Sequence, residues 1–252
     1  MSWLADIIWK KPELPTIEFW SVVPGVEEET PIVPAIQCIP EWFKNLPAEL
    51  PDYSTNFGID QGVVETAKHC PAFIEYFQQG YVLKMWTDFS IKINKDTSYE
   101  IFCDDERFFF DNHGDRQFKD HLPDPNKYSM LLKAICPWRL RTPKGWSVMQ
   151  LPMFYNFDKR FEVIPGAFWS DIHHECSQQL AFFDYGRFTI KKGTPLCTLV
   201  PFKRNAIKHK VSKMTDELTT ITNSSYLWWA GKFKNGYKEH QRIQKKEKAN
   251  DN

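Results

Sequence analysis

The sequence predicts a mainly β fold with a minor helical share (α+β minor), an antiparallel β-sandwich or barrel of jelly-roll-like type. Three observations carry that expectation. Large rings are abundant, with 10 Trp and 20 Phe in 252 residues, and such side chains favour pleated, half-buried surfaces. After Gly80 the apolar residues alternate in several places, as in YVLKMWTDFSIKI, instead of recurring at helical spacing. Turn signatures such as Thr142-Pro-Lys-Gly145 separate the runs, the pattern of many short strands in series and not of a parallel sheet.

The elements follow in order. Trp3, Leu4, Ile7 and Ile8 fall one turn apart and Pro12 stops the pattern, so a short amphipathic helix is expected, packed on its own domain or docked as an arm. Residues 12–51 hold eight of the 17 prolines, leaving room only for short extended pieces such as TIEFWSVV and a single turn at PEWFKNL. They read as a strap over the core, because Trp20, Trp42 and Phe43 need burial. One helix is expected before the strands, near residues 63–79. There Val63, Ala67, Cys70, Ile74 and Phe77 repeat at three- and four-residue steps, and Gly80 suits the position after the last turn. Pro71 begins a second helical segment, since its ring would clash in mid-helix.

Strands are then expected in YVLKMWTDFSIKI, in SYEIFCDDERFFFD around a turn at Asp104-Asp105, and in LLKAICPWRLRT, GWSVMQLPMFY, RFEVIPGAFWS, QQLAFFDYG, RFTIK and PLCTLVPF. In IKKGTPLCTLVPFKR, Gly193 allows a tight bend, Pro195 opens a strand where no ladder donor is needed, and Pro201 ends pairing. The division is a strap at 1–60, a β core at 61–204, and an extension at 205–252 with a helix running into a basic tail.

Charge is unevenly spread. Residues 203–252 carry 12 Lys/Arg against 5 Asp/Glu, hence +7, which leaves −7 on the rest of a chain whose formal net charge is zero. Such a tail suits an acidic partner or the acidic body itself. The six cysteines (Cys38, Cys70, Cys103, Cys136, Cys176 and Cys197) include no CxxC, which excludes a zinc ribbon or thioredoxin-type motif. MSWLADIIWKKPELP shows no basic leader, and no window approaches the roughly 18 apolar residues of a membrane span. Reduced cysteines in a cytoplasmic compartment are therefore expected.

Residues 136–204 resemble a family. PWRLRTPKGWS places Pro137, Trp138, Thr142, Pro143, Gly145, Trp146 and Ser147, and KGTPLCTLVPFKR places Lys192, Gly193, Thr194, Pro195, Pro201, Phe202, Lys203 and Arg204. These stretches are similar to those of a family of uncharacterised proteins in tailed phages and bacteria. The resemblance implies a β-rich fold and a phage origin, and it supplies no activity and no catalytic residue. The chain departs from the family after Ala167, where FWSDIHHE stands in place of a VDTD-like segment.

Four constellations bear on chemistry. His113-Gly-Asp115, with His173 or His174 further on, has the residue types of a two-histidine, one-carboxylate Fe(II) site. Arg187 and Thr189 could then grip the distal carboxylate of 2-oxoglutarate. Their order resembles the 2-oxoglutarate-dependent oxygenases, although DNHGDRQFKDHLPD also reads as an exposed polar loop. His174 and Cys176 would share one face of a strand, but two ligands fall short of the four a structural zinc wants. Neither GxxxxGK[ST] nor GxGxxG occurs, so KKGTP reads as a turn and not a phosphate cradle. In the tail, Trp228, Trp229, Phe233 and Tyr237 interleave with Lys232, Lys234 and Lys238, a mixture that suits nucleic acid or a docked segment with lysine heads in solvent. The leading expectation is a phage-encoded accessory or structural protein without a cofactor. It would act through protein contacts in the host cytoplasm or on the virion.

Overall fold

The computed structural model describes residues 14–51, 63–96, 98–112, 121, 130–229 and 242. The chain divides into two compact units, Met1–Arg204 and Asn205–Asn252.

The first unit is built from antiparallel ladders. Its strands are β1 (Glu18–Ser21), β2 (Val33–Pro34), β3 (Glu49–Pro51), β4 (Val63–Glu65), β5 (Tyr81–Lys84), β6 (Phe89–Ile93), β7 (Tyr99–Phe102) and β8 (Phe110–Asn112). They continue as β9 (Met130–Ala134), β10 (Trp138–Arg141), β11 (Trp146–Pro152), β12 (Glu162–Val163), β13 (Gly166–Phe168), β14 (Gln178–Phe182), β15 (Gly186–Ile190) and β16 (Pro195–Lys203). Five strands form one sheet in the order β13-β11-β16-β5-β2, four another as β12-β14-β9-β8, and three a third as β15-β6-β7. The pairs β1-β10 and β3-β4 complete the set, and among the described residues no sheet closes into a barrel. The mainly β fold expected from the alternating runs is the fold observed.

Alternation sets the core. On β9, Met130, Leu132 and Ala134 face the main cluster, joined from β14 by Leu180 and Phe182. The opposite faces of the same two strands bury Leu131 and Ala181 in a second, smaller cluster with Ile164 and Phe183. A register slip of one residue would exchange these faces, so the pairing Leu180↔Leu132 is strongly specified.

The strap is part of the sheets. β1 pairs with β10 and β2 with β5, and PEWFKNL forms a short helix within the strap. Among the described residues the α-helices of this unit are α1 (Val26–Glu29), α2 (Glu41–Asn45) and α3 (Pro71–Gln78). Phe43 is buried as expected, whereas Trp42 and Trp20 remain partly open to solvent.

The helix expected over 63–79 is shorter. Val63–Glu65 is a strand paired with β3, and Ala67–His69 is a 3-10 turn capped where the Lys68 N–H donates to the Thr66 hydroxyl. Pro71 takes the first position of α3 with Cys70 extended before it, as its missing donor and the restriction it places on its predecessor require. Residues 99–112 also differ from a simple hairpin, because β7 and β8 belong to different sheets.

The IKKGTPLCTLVPFKR stretch is the centre of the largest sheet. Gly193 has φ 83°, and the turn is closed by Gly193 N–H donating to the Met85 carbonyl (2.7 Å) and Met85 N–H to that of Thr194 (2.8 Å). Pro195 opens β16. Pairing with β5 ends at Leu199↔Tyr81, but the β11 ladder runs past Pro201 to Lys203↔Trp146. Pro201 thus ends pairing on one side only.

In the second unit, α4 (Asp216–Trp229) starts with the Leu218 N–H donating to the Thr215 hydroxyl at 3.2 Å. Asp216 and Glu217 fall in its first turn, where the helix dipole favours anions. The rest of the expected basic tail, Arg242 excepted, lies outside the described residues, as does the N-terminal helix expected at Trp3–Ile8. Among the described residues no helix is long and apolar enough to cross a membrane.

Candidate functional site

The residues of the two motifs meet at one corner. Asp171, from the FWSDIHHE segment, accepts the Gly145 N–H at 2.8 Å and an Arg204 Nη1–H at 2.8 Å, and its second oxygen is also bonded by Arg204 Nη2. The same guanidinium donates to the Trp146 carbonyl (2.7 Å) and the Ser147 hydroxyl (3.0 Å), and lies 4.4 Å from the Trp169 ring centroid. Beside it the Thr142 and Ser170 hydroxyls are 2.7 Å apart. The Asp171 side chain is 6% exposed. The Arg204 guanidinium and the Gly145 N–H hold its carboxyl at about 2. These contacts fasten the TPKG turn to the end of β16 and commit the Asp171 carboxylate to Arg204 and Gly145.

The KKGTP lysines are similarly engaged. Lys191 reaches Asp88 at 2.7 Å, Lys192 pairs with Glu29, and the Lys192 N–H donates to Asp88 at 2.8 Å. A phosphate cradle would need those cations unpaired, so the turn reading of this stretch stands on the geometry.

An unfilled surface lies where β11 runs out. After Pro152 the chain makes a 3-10 turn, Phe154–Asn156, and leaves it at Phe157 in the left-handed region (φ 51°, ψ 31°). A phenylalanine is disfavoured there because its Cβ crowds the following carbonyl, so the neighbours must hold it. Trp42 does so twice: its Nε1–H donates to the Tyr155 carbonyl at 2.7 Å, and its ring lies 5.6 Å from that of Phe157. Tyr155 is the hub below, with ring centroids 4.7 Å from Phe73, 5.1 Å from Tyr76 and 5.6 Å from Phe77. Phe43 extends the stack inward, 4.9 Å from Phe77. The strap, α3 and the turn after β11 thereby form one aromatic block.

The outer side of that block is open. Phe154 is 64% exposed, Phe157 59% and Trp42 37%. Next to them a cavity of about 360 Å³ is walled by Met153, Phe154, Phe157, Phe161 and Leu196, with Lys159 and Glu162 among its polar members. Asp158 on its wall forms an ion pair with Arg160 at 2.6 Å. Burial alone would raise that carboxyl, but hydrogen bonds from the Arg160 side chain and N–H hold it below its ordinary value. Arg160 also donates to the Thr189 carbonyl, which ties the lower wall to β15. An apolar side chain from a partner fits this combination of exposed rings, a recess and a charged edge.

The residues expected to hold Fe(II) and 2-oxoglutarate are placed as follows. His113 and Asp115 lie outside the described residues. His174 sits against β1 and β10, its Nδ1 hydrogen-bonded to the Leu140 carbonyl (3.1 Å) and its ring 5.8 Å from Trp20. Arg187 and Thr189 are on β15, in another sheet. Arg187 lies 4.7 Å from the Phe102 ring centroid, and the Thr189 hydroxyl is 2.8 Å from that of Ser90. Among the described residues no group of three His, Cys, Asp or Glu side chains is arranged to hold a metal ion.

Around His174 and Cys176 the chain is extended: Glu175 bridges Arg139, the His174 Nδ1 is hydrogen-bonded to the Leu140 carbonyl, and the Cys176 Sγ donates to the Trp138 carbonyl at 3.3 Å. His173, not His174, lines a cavity together with Cys176. Trp228 and Trp229 lie in α4, while Phe233, Tyr237, Lys232, Lys234 and Lys238 are outside the described residues.

Sequence reasoning missed the aromatic corner. The available signal was FYNF at 154–157, three rings in four positions directly after a strand ending in proline, more apolar area than an ordinary solvent loop carries. It also missed Asp171, because FWSDIHHE stood out only as a departure from the family pattern. The chain matches no family model and no curated protein.

Proposed function

We propose that this protein is a non-enzymatic, phage-encoded accessory or structural protein that acts by docking a protein partner on the aromatic corner formed by Trp42, Phe154 and Phe157. One observation carries the reading. Phe157 is held in a left-handed backbone conformation by Trp42 while most of its ring faces solvent. Disfavoured backbone geometry concentrates where side chains are presented for a task, and exposed aromatic anchors beside a recess are the chemistry of interface centres. The phage setting, in the host cytoplasm or on the virion, rests on the resemblance of residues 136–204 read from the sequence.

The test is site-directed photocrosslinking in cells that make the full chain. A benzophenone amino acid in place of Phe154 should yield one discrete protein adduct, identified by mass spectrometry and lost when Phe157→Ala is added. The same probe in place of Met149, which is exposed on β11, should yield none. Equal adduct patterns at the two positions, or no adduct at Phe154, would overturn the proposal.

A further inference from the structure

A second cavity, of about 320 Å³, opens beside β13 and reaches the protein's sulfur chemistry. Its walls include Lys133, Gln150, Phe168, His173, Glu175 and the buried Cys176. The ladder of β9 with β14 pairs Ala134 with Gln178, and extending that register by two residues sets Cys136 opposite Cys176. Their Sγ atoms are 3.6 Å apart. A disulfide needs about 2.05 Å, so the two sulfurs have about 1.5 Å left to close. Cys136 is 1% exposed and Cys176 3%; of the two, Cys176 alone lines the cavity. The third buried thiol, Cys197, donates to the Gln178 Oε1 at 3.2 Å and is not part of the cavity wall.

We propose that Cys176 and Cys136 form an oxidisable pair whose oxidant is a small hydroperoxide admitted through this cavity. The volume admits hydrogen peroxide or a short alkyl hydroperoxide. In the first step the Cys176 sulfur attacks the peroxide's outer oxygen. An S–O bond forms, the O–O bond breaks, and the departing oxygen takes the proton released by the thiol, leaving as water or alcohol. In the second step Cys136 attacks the sulfenic sulfur, an S–S bond forms, and the S–O bond breaks. The hydroxide leaves with the Cys136 proton as water. Two thiols lose two electrons and one hydroperoxide gains them. Burial pushes the Cys136 thiol well above its ordinary value, so Cys136 enters the second step as a thiol and gives up its proton as the S–S bond forms.

The experiment treats the reduced, folded full chain with hydrogen peroxide, alkylates the remaining thiols and maps the peptides. The expected product is a Cys136–Cys176 cross-link formed without denaturant, with Cys197 still a thiol. In Cys136→Ser, Cys176 should be trapped by dimedone. In Cys176→Ser, Cys136 should stay reduced. Wild-type protein in which both residues remain thiols while the half-buried Cys38, Cys70 and Cys103 oxidise would overturn the proposal. A cross-link seen only after unfolding, or Cys136 oxidising as fast without Cys176 as with it, would do the same. If a serine variant does not fold, the wild-type map decides alone.

Discussion

Gly80→Ala tests whether the approach of α3 to the central strand is as tight as the structure shows. Gly80 follows α3 with φ 70°, and a Cβ there would stand 2.3 Å from the Leu199 carbonyl oxygen, 3.0 Å from its carbon and 3.1 Å from the Val200 Cα. All three are backbone atoms of β16, which is held on both sides by β11 and β5, so no side chain can turn away. The backbone conformation alone costs alanine about 1 kcal/mol. Moving the Cβ out to an ordinary contact means displacing the start of β5 by about 1 Å against its ladder, which brings the total to about 3–5 kcal/mol, among the largest single-residue effects. Gly145 is the control, with φ 83° and nothing within 4 Å of an added Cβ, so Gly145→Ala should show the conformational part alone. At roughly 2–4 °C per kcal/mol for a unit of this size, thermal melting should separate the two variants by about 5 °C or more. Equal melting shifts would refute the argument, because conformation and not contact would then explain both.

Acid should act on the Asp171 corner with a defined sign. Its carboxyl is lowered from 3.8 to about 2, so its contribution is fully present above the unfolded value and is lost as pH falls from about 4 to about 2. Urea midpoints over that window should therefore fall more steeply for wild type than for Asp171→Asn. Arg204→Lys keeps the charge but loses the fork that reaches Asp171, Trp146 and Ser147 together, so it should lower the melting temperature at neutral pH as well. The fully buried Gln178 donates to Gln150 Oε1 (2.9 Å) and to the Cys176 carbonyl. Gln178→Leu should cost about 2–3 kcal/mol by denaturant titration, since it strands those acceptors, and adding Gln150→Leu should recover about 1 kcal/mol. Phe157→Gly should stay within about 1 kcal/mol of wild type, because relief of the left-handed strain offsets glycine's entropy and the lost ring contact. It should nonetheless abolish the photocrosslinked adduct, and an unchanged adduct would count against the docking proposal.

What could be read from the sequence was local, and what could not was long-range. The strands after Gly80 show themselves because alternation is a property of neighbouring residues. Their distribution among sheets does not, as β7 and β8 show by joining different ladders. The spacing of Val63, Ala67, Cys70, Ile74 and Phe77 fits a helix, yet Val63–Glu65 is a strand because β3 supplies a ladder and Pro71 removes a donor. TPKG and PFKR were visible as a turn and a strand end. Their meeting depends on Asp171, which no local pattern marks. The aromatic corner needs residues from positions 42, 73 and 154–157 at once, and only the folded chain brings those together.

The position of β16 has a consequence during synthesis. It is the last strand of its unit to be made, yet it lies between β11 and β5 in the middle of the five-stranded sheet. The partners of Val82 and Met149, at Thr198 and Val200, do not exist until nearly the whole unit has been translated. At roughly 5–20 residues per second, β5 waits on the order of ten seconds with the edge meant for β16 bare and only the short β2 along the other. A nascent chain of this kind should be a client for ribosome-associated chaperones, and its yield should respond to translation speed between β5 and β16 more than anywhere else.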